Sequence, residues 1–274
     1  MDKRSLLEIK INALYKLIMC NTLSGVLPLY IVTEYQKSGG TWIAQMLSEY
    51  LQVPFPDNHF PSIEKSVFHG HLMPTPFLKN VLCVYRDGRD AMVSSYFHMI
   101  FGNRKSVPSL VTQTRQNLNF TDYDDVKRNL PEFIEYLYTR FHKKSITRWH
   151  QFTWSEFVSA WKDLNVSSVK YEDMVVDPVK EMSVLISELT EEKVDMERLK
   201  AVVDKYSFEN QSKRKPGQEL KDSFLRKGKP GDWKEKFSRD AAEVFHHYAG
   251  KELIALGYEQ DSSWINKFDS TEHK

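Results

Sequence analysis

Cysteine is scarce: Cys20 and Cys83 are the only two in 274 residues. That is too few for a disulfide framework, and both stand among apolar neighbours, so the chain reads as one made for a reducing interior and is expected to be cytoplasmic. An excess of charge is missing too. Thirty-eight Lys and Arg against 37 Asp and Glu leave a formal net charge of +1, which provides no general field for nucleic acid or an anionic membrane. Any anion site has to be local. No apolar run reaches the roughly 20 residues that a membrane span needs. The N-terminal stretch "MDKRSLLEIKINALYKLIMC" interleaves charges with apolar residues and lacks a small-residue cleavage site, so an amphipathic helix is expected there rather than a signal peptide or a span. Internal repeats and low-complexity tracts are absent.

What is present is an alternation. Strand-length apolar runs at Leu29 to Thr33, Val67 to His69, Val81 to Tyr85 and Ser167 to Tyr171 are interleaved with helical spacing at Thr41 to Leu51 and Asp90 to Phe101. Strands alternating with helices predict an α/β fold, a central parallel sheet flanked by helices, with ligands at the carboxyl ends of strands. Nothing divides residues 1–274 into separate domains, so a single domain is expected. Between Gly102 and Leu130 the pattern breaks into polar residues, Pro108 and the acidic group "TDYDD", which predicts a long mobile loop around 102–130. From Pro131 onward helical patterns dominate: "PEFIEYLYTRF", "TWSEFVSAWKDL", "DPVKEMSVLISEL" and "DMERLKAVVDKY", then, after a basic Gly/Pro-containing stretch, a last helix near Arg239 to Leu256.

Three segments carry chemistry. "EYQKSGGTW", Glu34 to Trp42, follows the first strand and opens the first helix. A strand, a glycine turn and a helix aim backbone N–H groups and the positive end of the helix dipole at an anion, and Lys37 adds a full charge. The Walker A order sets glycines first and lysine last; here it is reversed, and the strand "VLCVYRDGRD" ends in Arg86 rather than in a metal-holding Asp. Taken alone, the segment reads equally as a polar turn with Lys37 in solvent. "YRDGRDAMVSSYFHM" sets the guanidinium of Arg86 at a strand end and Ser94 on the next helix, suited to a phosphate, although such charge runs also pair locally. "RKGKPGDWK" offers Arg226, Lys227 and Gly228, and alone would pass for an exposed basic loop.

Together these segments resemble the cytosolic-type sulfotransferases, which use 3′-phosphoadenosine-5′-phosphosulfate (PAPS) and release 3′,5′-bisphosphoadenosine (PAP). The family pattern P-K-[ST]-G-[TS]-T-W resembles "QKSGGTW", R-x-x-x-D-x-x-V-S resembles "RDGRDAMVS", R-K-G-x-x-G-D-W-K is matched by "RKGKPGDWK", and Y-E-D-[LM] resembles "YEDM". The likeness implies a P-loop-NTPase-like sulfotransferase fold. It implies that Lys37, Ser38, Gly39, Gly40, Thr41 and Trp42 hold the 5′-phosphosulfate and adenine end, that Arg86, Ser94, Arg226, Lys227 and Gly228 hold the 3′-phosphate, and that Tyr171, Ser207 and Phe208 lie near adenine. His71 of "GHLMP" aligns with the family's catalytic histidine in K-T-H-L-P, so His71, Lys37 and Ser94 form the implied catalytic set. Histidine suits the work of a base because its ordinary pKa lies near operating pH. No convincing metal-ligand spacing appears, and no metal is expected.

The departures from the pattern are Gln36 for its proline, Gly40 for a threonine and His69 for a lysine. With a shorter segment between Trp42 and His71, they are those of a divergent member, such as a bacterial one, whose acceptor is a small molecule, lipid or glycan. Phe55, Phe60, Phe97, Tyr136 and Trp149 are the aromatic candidates for lining the acceptor pocket. The family's dimer segment is only partly echoed in "KEKFSRDAAE", where a charge, Arg239, stands in place of a valine and argues against that interface. Two other readings fit the same residues: an ATP-dependent phosphotransferase, and a non-catalytic PAP-binding protein.

Overall fold

The computed structural model describes residues 24–56, 64–103, 106, 108–141, 152–190 and 192–271, with positions 11, 14, 15, 18 and 19. The expected N-terminal amphipathic helix, and with it Cys20, lies mostly outside the described residues, as do Phe60 and Trp149. In chain order the elements are β1 (Leu29–Glu34), α1 (Gly40–Leu51), β2 (Ser66–Gly70), β3 (Val81–Tyr85), α2 (Gly88–Ile100), α3 (Pro108–Asn117), α4 (Val126–Tyr136) running into a π-helical turn (Leu137–Phe141), α5 (Trp154–Trp161), β4 (Ser167–Lys170), α6 (Tyr171–Val176), α7 (Pro178–Thr190), α8 (Met196–Lys205), α9 (Phe208–Ser212), α10 (Trp233–Lys236), α11 (Arg239–Ala255) and a closing 3-10 segment (Ser262–Thr271).

The chain forms two compact units. The first takes in the described residues up to Arg86 and from Asp163 to Arg214; the second takes in those from Asp87 to Lys162 and from Lys215 onward. The first holds the sheet, four parallel strands in the order β2-β1-β3-β4. β1 and β3 are neighbours, but the chain leaves β1 towards β2 on one side and β3 towards β4 on the other, so their connections part at the carboxyl ends. In open parallel sheets this switch point is where ligands bind. Alternate strand residues Tyr30, Val32, Val67, Leu82, Val84 and Val169 form one core with Ile43, Leu47, Leu185 and Val202 of α1, α7 and α8. The opposite set, including Leu29, Ile31 and Cys83, is buried as well. Strands buried on both faces read as continuous apolar runs, and for that reason β1 and β3 stand out in the sequence.

Helix starts follow local chemistry. Asp195 accepts from the amides of Glu197 and Arg198 at the head of α8, and Thr153 with Glu156 forms a reciprocal capping box on α5. The segment expected as a loop is partly helical: α3 lies within it and α4 begins at Val126. The acidic group that suggested a loop is used in capping, with Asp125 accepting from Arg128 N and the Asp122 carbonyl from Asn129 Nδ2. The fourth strand stops at Lys170, one residue short of expectation, because Tyr171 is the first residue of α6.

The second unit packs aromatic residues around α2. Arg89, fully buried, lies with its guanidinium carbon 3.5 Å from the Trp233 ring centroid and 4.7 Å from that of Trp264, paired with Asp87 and Glu259. Gly88 sits where a Cβ would come within 2.6 Å of Phe245 Cζ and 2.7 Å of Trp154 Cδ2. Both rings are buried, so neither can swing into solvent. Gly88→Ala is therefore expected to cost about 1–3 kcal/mol of stability through overpacking, read as a lower urea midpoint at unchanged slope. An unchanged midpoint would mean that the rings have room to spare.

Candidate active site

Three adjacent strands of the first unit end in chemically active residues: β1 in Glu34 and the turn to Lys37, β2 in His69 and, just beyond it, His71, and β3 in Arg86. The β1 turn is tight. Ser38 N donates to the Tyr35 carbonyl at 3.2 Å, Lys37 takes the left-handed conformation at φ 70°, and Gly39 follows at φ 99°. A Cβ on Gly39 would also lie 2.6 Å from Tyr171 Cδ2, so this glycine is required both by its backbone angle and by the ring laid against it. Arg86 binds the turn from the neighbouring strand. Its Nη1 donates to the Lys37 carbonyl at 2.8 Å, and its guanidinium carbon lies 4.5 Å from the Tyr171 centroid. Trp42 meets Tyr171 edge-on at 6.2 Å between centroids and donates from Nε1 to the Tyr206 carbonyl at 2.8 Å. The structure thus brings together Lys37, Ser38, Gly39, Gly40, Thr41, Trp42, Arg86 and Tyr171, all within one unit. Ser207 and Phe208 follow Tyr206, but the Ser207 hydroxyl accepts from Asn210 N as the cap of α9.

Sequence reasoning gave no role to Glu34. Its carboxylate is buried, with Oε2 accepting from Gly40 N at 2.5 Å and Oε1 lying 3.0 Å from His69 Nε2, while its main-chain oxygen lies 3.0 Å from His71 Nδ1. Burial by itself drives the Glu34 carboxyl upward, but the His69 hydrogen bond and charge, the His71 charge and the Gly40 amide together hold it below its ordinary value. A carbonyl oxygen only accepts, so His71 carries its proton on Nδ1, and in the neutral ring the lone pair is on Nε2. The Gly40 amide at the head of α1 is committed to this carboxylate. Glu34 was visible as a charge ending a strand with no polar residue before Thr33, but its partner on β2 was not.

In the second unit the basic loop is held by acids. Asp90 on α2 accepts from Gly231 N at 2.6 Å and from Trp233 N at 3.0 Å. Arg226 is paired with Glu219 and, at 2.7 Å, with Asp232, which also takes Lys227. The guanidinium carbon of Arg226 rests 4.5 Å from the Phe97 centroid. Gly228, at φ 62°, turns the chain after Lys227, and Ser94 lies partly buried on α2. Phe97 and Tyr136 are both buried in the packing of this unit, and Phe55, in the first unit, is partly buried. Burial works against the charge on Lys227, but Asp232 and Glu235 outweigh it and raise its pKa. Burial likewise works against the Asp232 carboxylate, but Arg226 and Lys227 outweigh it and lower its pKa.

Among the described residues no group of three or more His, Cys, Asp or Glu stands in a metal-holding cluster, and no helix is long and apolar enough to cross a membrane.

With this geometry in hand, comparison with known proteins gives the class. The model of the sulfotransferase domain family matches residues 52–257, well over half of the chain, and the chain belongs to that family. The match begins after the Lys37 turn, so the reading of that turn rests on its own motif and geometry. The structure is similar to that of mouse sulfotransferase SULT7A1 complexed with PAP (17% identity, 88% of each chain, TM-score 0.51). It is similar also to retinol dehydratase in a complex with retinol and PAP (17% identity, 88% of this chain and 86% of that one, TM-score 0.54), and with androsterone and PAP (16%, 89% and 85%, TM-score 0.53). The fold is accordingly the P-loop-like α/β fold of the sulfotransferases, with its central parallel sheet and flanking helices.

The pairing of Asp232 with Arg226 and Lys227 has a consequence for pH. Asp232 has a folded pKa below its ordinary 3.8, so the stability that it contributes is complete above that value and is lost as pH falls through the folded pKa. The melting temperature of wild type should exceed that of Asp232→Asn at neutral pH, and the gap should narrow as pH falls below 3.8. A gap independent of pH would show that the pair contributes packing and no charge.

Proposed function

We propose that the chain transfers a sulfuryl group from PAPS to a hydroxyl of a small-molecule, lipid or glycan acceptor, with His71 as general base and Lys37 beside the leaving oxygen. The observation that carries the reading is the arrangement at the sheet's switch point. The Lys37 turn, Arg86 across from it and a histidine whose neutral ring, protonated at Nδ1, carries its lone pair on Nε2 stand at the ends of three neighbouring strands. The turn suits the 5′ end of such a donor. Ser38 Oγ is buried and has no hydrogen-bond partner among the described residues. An unpaired buried hydroxyl costs about 1–3 kcal/mol, which an anion oxygen accepting from it would offset. The Tyr171 ring, laid over Gly39 and edge-on to Trp42, offers an aromatic wall for adenine. From the second unit we propose Ser94, Arg226, Lys227 and Gly228 for the 3′-phosphate.

When bound, the donor supplies a sulfuryl group on a phosphate leaving group. The chain's own residues do the rest. His71 Nε2 takes the proton of the acceptor hydroxyl as its oxygen closes on sulfur, with the ring held by its Nδ1–H on the Glu34 carbonyl. Lys37 offers its ammonium to the charge that gathers on the departing oxygen, and the Arg86 bond to its carbonyl keeps the turn in register. Fixed cations in a preorganised site stabilise such charge without reorganisation.

Calorimetric titration with PAP, 5′-AMP and ATP, the last with and without magnesium, tests the donor. Tight, magnesium-independent binding of PAP, much weakened for 5′-AMP, is expected; preference for ATP with magnesium would overturn the reading in favour of phosphoryl transfer. His71→Ala should bind PAP as wild type does and lose about a hundred- to ten-thousand-fold in turnover, the usual contribution of a general base. Turnover retained within a few-fold would remove His71 from that role.

A further inference from the structure

Two histidines stand two residues apart at the end of β2, with ring centroids 5.5 Å apart, and the Glu34 residue touches both. It does so with different atoms. The side-chain carboxylate meets His69 at Nε2, and the main-chain carbonyl meets His71 at Nδ1. A carboxylate held ionised only accepts, and so does a carbonyl, so each contact demands a proton on the ring nitrogen that faces it. We propose that Glu34 is a positioning residue that fixes the proton on opposite nitrogens of the two rings, committing His69 Nε2 as a donor and leaving the basic lone pair of His71 on Nε2.

The consequence is a division of labour between two residues that look interchangeable in "FHGH". The ring nitrogen of His69 that matches the basic one of His71 is tied to a buried carboxylate, and a proton accepted there would have no lone pair to receive it. An Nε2 lone pair is left to His71 alone, while the lone pair of His69 is turned to Nδ1. The same carboxylate reaches the Lys37 turn, because its second oxygen takes the first amide of α1 at Gly40. Space is part of the arrangement. A Cβ on Gly40 would lie 2.8 Å from His69 Nε2 and 2.9 Å from Glu34 Cδ, so the hydrogen-bonded pair in this geometry requires a glycine.

This inference rests on the sulfotransferase reading for what His71 does, but the proton positions exist in the protein without ligand and can be read there. The test is long-range proton–nitrogen NMR of ¹⁵N-histidine-labelled full chain at neutral pH, for wild type, Glu34→Gln and Glu34→Ala, with single His→Ala variants for assignment. Wild type should show His69 protonated at Nε2 and His71 at Nδ1. In Glu34→Gln the amide oxygen can still accept from Gly40 while the amide N–H₂ turns to His69, whose Nε2 must then accept. The His69 proton should move to Nδ1 and the His71 pattern should stay. In Glu34→Ala the His69 tautomer should cease to be single. A wild-type His69 without a proton on Nε2, or a His69 spectrum unmoved by Glu34→Gln, would overturn the inference. Melting curves supply a second measure that does not need the Glu34 variants to fold. Gly40→Ala should lower the melting temperature, and Gly40→Ala with His69→Ala should lower it by less than the two single losses added. Additive losses would count against the packing of glycine on the pair. PAP titrations on the same samples separate the two ideas: no PAP binding by wild type defeats the sulfotransferase reading with the tautomers intact, and wrong tautomers defeat the Glu34 inference with PAP binding intact.

Discussion

A carboxylate buried at the end of a central parallel strand must be compensated, and at Glu34 that requirement reaches three elements at once. The cost of burying the charge is met by an amide from α1, an imidazole from β2 and the positive field at a helix start. These partners can meet because the sheet register sets Val32 against His69 and Thr33 against Gly70, so that the β2 end lies beside the β1 end. The turn between Glu34 and Gly40 is then fixed at both ends, by its own carboxylate and by Arg86 on its middle carbonyl. Lys37 in a left-handed conformation is the strained residue that such a closed turn can hold.

The second unit solves a related problem with the charges exchanged. There the cations belong to the loop and the carboxylates hold it: Asp90 through two amides, Asp232 through Arg226 and Lys227. Near-neutral net charge is thereby compatible with concentrated local charge, since this basic loop carries its own acids. In the reading proposed, a phosphate there would share Arg226 and Lys227 with Asp232, and its affinity would depend on the difference between two pairings and not on the number of cations.

Much of this was legible in the sequence. Buried parallel strands are continuous apolar runs, and β1, β2 and β3 fall where the runs are; α7, α8 and α11 fall where apolar residues recur at helical spacing. The motif order identified the family, and the Lys37 turn, Arg86 and Tyr171 are together because the strand order brings their strand ends together. What the sequence hid depends on pairing across elements. The helix Pro108–Asn117 buries only Thr114 among its residues, so it carries no apolar stripe to announce it. Tyr171 continues an apolar strand pattern but begins a helix. Glu34 drew no role from the sequence, because the register that brings it to His69 cannot be read from either strand alone.

That register also joins two departures from the family pattern that appear unrelated along the chain. Glycine in place of a threonine at position 40 and histidine in place of a lysine at position 69 are 29 residues apart in sequence, yet a Cβ at the first would meet the ring of the second. A threonine at 40 therefore cannot coexist with the Glu34–His69 pair in this geometry, and removal of the pair would leave the Gly40 amide without its acceptor. The substitutions form one unit with Glu34 at its centre. In the reading proposed, the turn has given up a threonine hydroxyl and committed one helix-head amide internally. On that reading its capacity for an anion rests on the Lys37 ammonium and the buried Ser38 hydroxyl, and the carboxylate that claimed the amide would also set which nitrogen of His69 carries the proton.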